Sequence, residues 1–124
     1  PLWSRGLGDV YKRQIEEVVA KIRDVKPSMV CAPHVETSAG IILNKDYCKQ
    51  IGDACKEVGA TFCLDGVASG TAWIDMDYAN IGAYITAPQK GWSGPAAVRS
   101  GVEINPRAIE QPAEIRFSHR LVCV

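Results

Sequence analysis

Apolar side chains recur at helical spacing in two stretches of the chain. Residues 14–25 carry apolar residues three and four positions apart with charged residues between them, so this stretch predicts an amphipathic helix that ends at Lys26-Pro27. Residues 45–58 repeat the pattern. Asn44 is placed to cap this second helix, and Gly59 can end it in the left-handed conformation.

Three short apolar runs separate and follow these helices. Residues 28–33, 60–64 and 83–86 have the length and composition of strands, and the prolines that bound the first run are typical of a strand covered on both faces. Strands that alternate with helices predict an α/β fold with a mostly parallel sheet, right-handed crossovers and helices on its faces.

Polar segments follow each predicted strand. They are the loop HVETSAG at residues 34–40, the Gly/Ser-rich segment at residues 66–77, and the turn APQKGWSGPA. Asp65 stands at the carboxyl end of the second strand. Polar site residues of open parallel sheets gather at these strand ends, so the sequence predicts a site there.

Composition narrows the class of ligand. Hydrophobic residues make up 47% of the 124 residues, which argues for a globular domain, and the formal net charge of +0 gives no electrostatic reason to expect nucleic acid or an anionic membrane. The sequence has neither an apolar stretch of spanning length nor a charged-then-apolar leader. We therefore expect a soluble, unsecreted protein that binds small molecules or proteins.

The five cysteines show no C-x-x-C pair. Their number and spacing suggest neither a disulfide framework nor a metal site, and their apolar neighbours favour small buried side chains in a reducing cytoplasm. They are Cys31, Cys48, Cys55, Cys63 and Cys123.

Three sequence blocks carry a family resemblance. The blocks H-V-E-T-S-A-G, L-D-G-V-A-S and P-Q-K-G-W follow one another over residues 15–97, and each ends a predicted strand. This arrangement resembles the class V aminotransferases, the group that includes alanine-glyoxylate and serine-glyoxylate aminotransferases. The resemblance implies part of the large domain of a fold-type I transferase that depends on pyridoxal 5'-phosphate (PLP).

The same resemblance implies roles for the residues of the second and third blocks. Lys90 would carry PLP as a Schiff base and move the proton at the substrate's alpha carbon, because only a primary amine forms a reversible imine. Asp65 would pair with the protonated pyridine nitrogen and keep the ring able to accept electrons. Val67, two residues along an extended chain, would pack against one face of the ring.

Two further cofactor contacts are implied. Gln89 matches the family residue that hydrogen-bonds the PLP phosphate, and Thr37 matches a hydroxyl position near the phenolic oxygen or the phosphate. Ordinary turn polarity remains the alternative for both. His34 is expected to fix its loop rather than to catalyse, and Trp92 and Pro95 to shape the turn after the lysine.

The implied reaction of the intact parent is amino-group transfer. The donor would be a small amino acid such as alanine or serine, the acceptor a 2-oxo acid such as glyoxylate or pyruvate, and the active form a homodimer. A related PLP lyase such as a cysteine desulfurase is one alternative, although those enzymes usually carry histidine where this chain has Gln89. The other is a non-catalytic α/β binding domain, which would need a glycine-rich phosphate loop that is absent from the sequence.

The ends of the sequence depart from the family pattern. Residues 1–14 are interpreted as a non-native extension, residues 15–97 as a fragment of the PLP-binding domain, and residues 98–124 as an uncertain, possibly frame-shifted tail. The glycine-rich phosphate loop, the ring-stacking aromatic and the carboxylate-binding arginine of the family cannot be placed. We therefore expect the fragment alone to be weakly active or inactive and to expose sheet edges.

Overall fold

The computed structural model describes residues 14–90, 94, 102–106 and 121–123. Its helices are α1 (Ile15–Val25) and α2 (Lys45–Val58). Its strands are β1 (Met29–Pro33), β2 (Val35–Glu36), β3 (Ile41–Ile42), β4 (Thr61–Asp65), β5 (Ala83–Ile85), β6 (Val102–Ile104) and β7 (Leu121–Cys123). Most of the interpreted end segments, together with Trp92 and Pro95, lie outside the described residues.

Five strands form one mostly parallel sheet in the order β6-β5-β4-β1-β7. β4 pairs in parallel with β1 and with β5, β7 joins β1 in parallel, and only β6 runs antiparallel to its neighbour. The predicted α/β class, a mostly parallel sheet flanked by helices, is confirmed. β6 and β7 were not predicted as strands.

α2 has the bounds that its sequence signals predict. Asn44 accepts a hydrogen bond from the backbone N–H of Tyr47 at 2.8 Å, and Gly59 ends the helix with φ 73°. The other helix, α1, ends where Lys26 takes φ 47° ahead of Pro27. The two helices pack against each other, and α2 also contacts β4.

Alternate residues of β1 and β4 meet the helices. Val30 and Phe62 face each other in register, as do Ala32 and Leu64, and all four are buried in one core with side chains of both helices. The intervening residues of β1 are less covered, and Met29 is 38% exposed. The prediction that the first strand is covered on both faces is therefore wrong for the described part of the chain.

The polar loop after β1 contains a small hairpin that the sequence did not predict. Its strands β2 and β3 are two residues long, and Val35 pairs with Ile42 and Glu36 with Ile41 in antiparallel register. The hairpin returns the chain to the start of α2.

Among the four cysteines whose side chains the structure describes, burial follows the prediction with one exception. Cys48, Cys55 and Cys63 are buried, whereas Cys31 is only half-buried, and none of the four is in a disulfide. Neither helix in the described ranges combines the length and apolarity needed to cross a membrane.

Candidate functional site

Three parallel strands end side by side at one edge of the sheet. Pro33, Asp65 and Ile85 occupy the last positions of β1, β4 and β5, and the register aligns them with one another. The segments that leave these strands therefore start from the same edge. This is the edge where the sequence predicted a site.

Asp65 stands on the middle strand of the three and is exposed to solvent. One of its carboxylate oxygens accepts a hydrogen bond from the backbone N–H of Val67 at 2.9 Å. The chain turns directly after Asp65, since the Ser69 N–H donates to the Gly66 carbonyl at 3.0 Å. Val67 is half-buried in this turn, so the extended path predicted between Asp65 and Val67 is wrong.

An aromatic ring supports the turn from beneath. A methyl group added at Gly66 would overlap the ring of Tyr84, which is itself 3% exposed. Trp73 stacks on Tyr84 with 6.1 Å between ring centroids. Gly66 does not have a positive φ, so glycine is required here for space rather than for backbone conformation. The backbone N–H of Gly66 also donates to the Ile85 carbonyl at 2.8 Å, which fixes the turn to the neighbouring strand.

Lys90 and Gln89 lie in the turn that follows β5. The backbone N–H of Lys90 donates to the Ala87 carbonyl at 3.0 Å, and the Gly94 N–H donates to the Pro88 carbonyl at 2.7 Å. Both side chains are exposed. The turn thus presents an amine and an amide to solvent on the strand next to the one that carries Asp65.

Thr37 lies in the turn of the hairpin that follows β1 and is exposed. Beside it, the carboxylate of Glu36 accepts hydrogen bonds from both the hydroxyl and the backbone N–H of Ser38, at 2.7 and 3.0 Å. These bonds lower the pKa of Glu36. The hairpin turn that follows β1 therefore carries a charged carboxylate and an exposed threonine side chain.

His34 joins the segments that follow β1 and β4, a role that sequence reasoning expected only in outline. Its backbone N–H donates to the Asp65 carbonyl at 2.8 Å, and its carbonyl accepts from the Leu43 N–H at 2.9 Å. Its ring Nδ1 lies 2.6 Å from the Ser69 hydroxyl oxygen, in a site that leaves 2% of the residue exposed. Burial lowers the pKa of His34, which favours the neutral ring.

The predicted residues thus lie at or just after the carboxyl ends of three neighbouring strands, at one edge of the sheet. Asp65 and Val67 leave β4, Gln89 and Lys90 leave β5, and Thr37 leaves β1. Ser69 and Tyr84 were missed by sequence reasoning, because their contacts join positions far apart in the chain. Across the described ranges, no group of three or more His, Cys, Asp or Glu side chains is arranged to hold a metal ion.

Comparison with known proteins agrees with this picture. The chain is 37% identical over 84 residues to the (S)-ureidoglycine--glyoxylate transaminase of Bacillus subtilis (strain 168), a match that covers 67% of this chain and 20% of that protein. The chain therefore spans about a fifth of the length of this curated relative. No protein-family profile matches the chain.

A solved structure shares the fold. A chain in the crystal structure of a SepCysS-SepCysE N-terminal domain complex superposes on this chain with a TM-score of 0.59 and 21% sequence identity. The superposition covers 78% of this chain and 27% of that chain. The resemblance to the class V PLP-dependent aminotransferase family that the sequence indicated is therefore confirmed.

Proposed function

We propose that this chain supplies the cofactor-binding strand ends of a PLP-dependent aminotransferase, with Lys90 as the residue that holds PLP covalently. The observation that carries the proposal is the adjacency of β4 and β5, whose carboxyl ends carry Asp65 and the turn with Lys90. The sequence match to a glyoxylate transaminase supports the reaction class.

The chemistry of the side chains at this edge fits PLP. Asp65 offers a carboxylate that is exposed and held in place through Val67, as a partner of a protonated ring nitrogen must be. Lys90 offers an exposed primary amine, and Gln89 and Thr37 offer neutral hydrogen-bonding groups suited to the phosphate or the phenolic oxygen.

PLP, when bound, supplies an electron sink for the pair of electrons that remains when a bond at the substrate's alpha carbon breaks. In this proposal Asp65 would hold the protonated ring nitrogen through its carboxylate. Lys90 would hold the cofactor through its primary amine, and Lys90 Nζ would be the group that moves the proton at the alpha carbon. Val67 would press on the ring from the turn, and His34 would hold that turn in place through Ser69.

The wider assignment is part of the same proposal. The intact protein would transfer the amino group of a small amino acid such as alanine or serine to a 2-oxo acid such as glyoxylate or pyruvate. It would do so as a homodimer in the cytoplasm, a compartment that suits a chain whose described cysteines are not in disulfides.

Lysine labelling tests the cofactor assignment on this chain. After incubation with PLP and reduction with borohydride, we expect Lys90 to be labelled severalfold more than Lys45 and Lys56, two exposed lysines of α2 that serve as internal controls. Modified lysine resists trypsin, so the tryptic peptide that ends at Lys90 should become joined to the next one. Equal labelling of all three lysines would contradict the proposal.

Two variants sharpen the labelling test. Lys90→Arg keeps the positive charge but lacks a primary amine, so labelling at position 90 should vanish while Lys56 is unaffected. Asp65→Asn removes the carboxylate partner of the ring nitrogen and should reduce labelling of Lys90 alone. If Asp65→Asn lowered labelling at every lysine equally, the acid would have no specific role.

A chimaera tests the reaction itself. The matched 84 residues of the Bacillus subtilis protein would be replaced with those of this chain, and the product assayed for alanine-to-glyoxylate amino transfer and for sulfide release from cysteine. We expect amino transfer that Lys90→Ala abolishes. Sulfide release without amino transfer would favour the lyase alternative, and PLP-independent binding alone would favour a non-catalytic domain.

A further inference from the structure

The face of the sheet that the helices leave open carries a pair of thiols. Cys31 of β1 and Cys63 of β4 are register partners on neighbouring parallel strands, so their side chains leave the sheet on the same side. Cys31 is half-buried between two core positions of β1, whereas Cys63 is buried between two core positions of β4. Neither residue has a part in the proposed aminotransferase chemistry.

The two thiols lie within interaction range of each other. Burial raises the pKa of the Cys63 thiol, and Cys31 raises it further by charge and by side-chain hydrogen bonding. Neither cysteine is in a disulfide. Neighbouring strands stand about 4.8 Å apart, which lies within the range of about 4.4–6.8 Å between the Cα atoms of bridged cysteines. The backbone spacing of a bridged pair is therefore present without separating the strands.

We propose that Cys31 and Cys63 form an oxidisable dithiol, a modification site that small disulfides such as oxidised glutathione convert into an intramolecular bridge. Cys31 is half-buried and meets the oxidant first, whereas Cys63 is 6% exposed. Burial and the neighbouring Cys31 raise the pKa of Cys63 to about 11, which makes it the poorer first nucleophile.

The exchange balances in two steps. The Cys31 thiolate attacks one sulfur of oxidised glutathione, forms a mixed disulfide and releases one glutathione thiolate. Cys63 then gives up its proton to that thiolate and attacks the Cys31 sulfur, which forms the protein disulfide and releases the second glutathione. The protein loses two hydrogen atoms and two electrons, and one oxidised glutathione becomes two reduced molecules.

Other cysteines of the chain provide contrasts. Cys48 and Cys55 are seven positions apart on α2, which separates them by about 10 Å along the helix axis, so they can be bridged only if the helix unfolds. β7 places Cys123 in register on the other side of Cys31. The unfolded chain should instead favour the two short-loop bridges, Cys48 to Cys55 and Cys55 to Cys63, because short loops close most readily.

Peptide mapping separates these pairings, because trypsin leaves each of the five cysteines on a different peptide. The chain would be treated briefly with oxidised glutathione, blocked with N-ethylmaleimide and digested, once in native buffer and once in urea. We expect the Cys31 to Cys63 bridge to dominate in native buffer and the Cys48 to Cys55 and Cys55 to Cys63 bridges to dominate in urea.

Matched variants test the order of the steps. Cys63→Ser should abolish the bridge and leave Cys31 as a stable mixed disulfide with glutathione, whereas Cys48→Ser should leave the native bridge unchanged. The proposal is overturned if the native chain yields chiefly a Cys48 to Cys55 or Cys31 to Cys123 bridge, only mixed disulfides, or the same pattern as in urea. This native-versus-urea comparison decides the matter even if Cys63→Ser fails to fold.

Discussion

The two faces of the central strands differ in how they are covered. On one face, Phe62 and Leu64 of β4 are 1% and 0% exposed beneath the two helices. On the other, Cys63 is still buried at the centre of the strand, but Thr61 before it is half-buried and Asp65 after it is exposed. The covered face provides the apolar burial that stabilises the fold, and the open face provides the reactive groups, namely the thiol pair and the candidate site's carboxylate.

The largest expected effect comes from emptying the covered face. Phe62→Ala should lower the free energy of unfolding by about 3–5 kcal/mol, because it leaves a cavity in the only core that both helices share among the described residues. The measurement is urea unfolding followed by circular dichroism.

The matched control lies one residue away on the open face. Thr61→Ala changes a half-buried side chain on the same strand and should cost about 1 kcal/mol or less. Equal losses for Phe62→Ala and Thr61→Ala would show that the two faces do not differ in their contribution to stability.

A second prediction concerns how closely α2 approaches the backbone at Ala79. A methyl group at Gly52 of α2 would overlap the backbone carbonyl of Ala79. Gly52→Ala should therefore destabilise the protein by about 1–3 kcal/mol, despite the gain of up to about 1 kcal/mol that alanine brings to a helix.

Gly40→Ala separates this clash from a general cost of replacing glycine. Gly40 has open space around it but φ +66°, so only backbone strain of about 1 kcal/mol is expected. Unfolding curves that rank Gly52→Ala as the milder change would refute the close-approach argument.

A third, smaller effect tests the start of the covering helix. Asn44→Ala removes the cap that accepts the Tyr47 N–H and should cost about 1 kcal/mol. Asn44→Asp keeps an acceptor and should be close to neutral. Hydrogen exchange at the first turn of α2 is the sensitive measurement, and unchanged exchange in Asn44→Ala would contradict a role for the cap.

The smallest expected effect is a pH dependence from His34, which stands two positions after Ala32 and is equally buried. Because burial lowers the pKa of His34 below its usual 6.5, the unfolded chain takes up the proton first as the pH falls. Stability should decline from pH 7 downward through the window between the two pKa values.

Replacing the ring isolates this contribution. In His34→Gln the titrating group is gone, so the slope of unfolding free energy against pH should be flatter near neutrality than in the parent chain. An unchanged slope would mean that groups other than His34 set the pH dependence.

The fold was predictable where the signals are local. Asn44 and Gly59 mark the ends of α2 by their own capping chemistry, and apolar spacing marks its inner side. The hairpin after β1 was missed because two-residue strands such as Val35–Glu36 are too short to show a period. The sequence did not predict that β1 is well covered on only one face, because a short apolar run does not show which of its faces is packed against other elements.

The candidate site was predictable to a similar extent. Asp65 and Lys90 could be assigned to strand ends because each follows an apolar run and belongs to a family block. The bond between His34 and Ser69 could not be predicted, since it joins two loops that only the folded sheet brings together. Val67 was given the wrong path because an Asp side chain can bond the backbone two residues on and turn the chain.

The absence of a side chain at Gly66 sets the position of the loop that follows Asp65. The Tyr84 ring occupies the volume where a beta carbon would be, so contact with the ring sets how closely the loop after Asp65 packs on the sheet. Any larger residue at position 66 would have to evict the ring and disturb its stack with Trp73. An engineer who wished to reposition the carboxylate would therefore redesign the tyrosine and the glycine together.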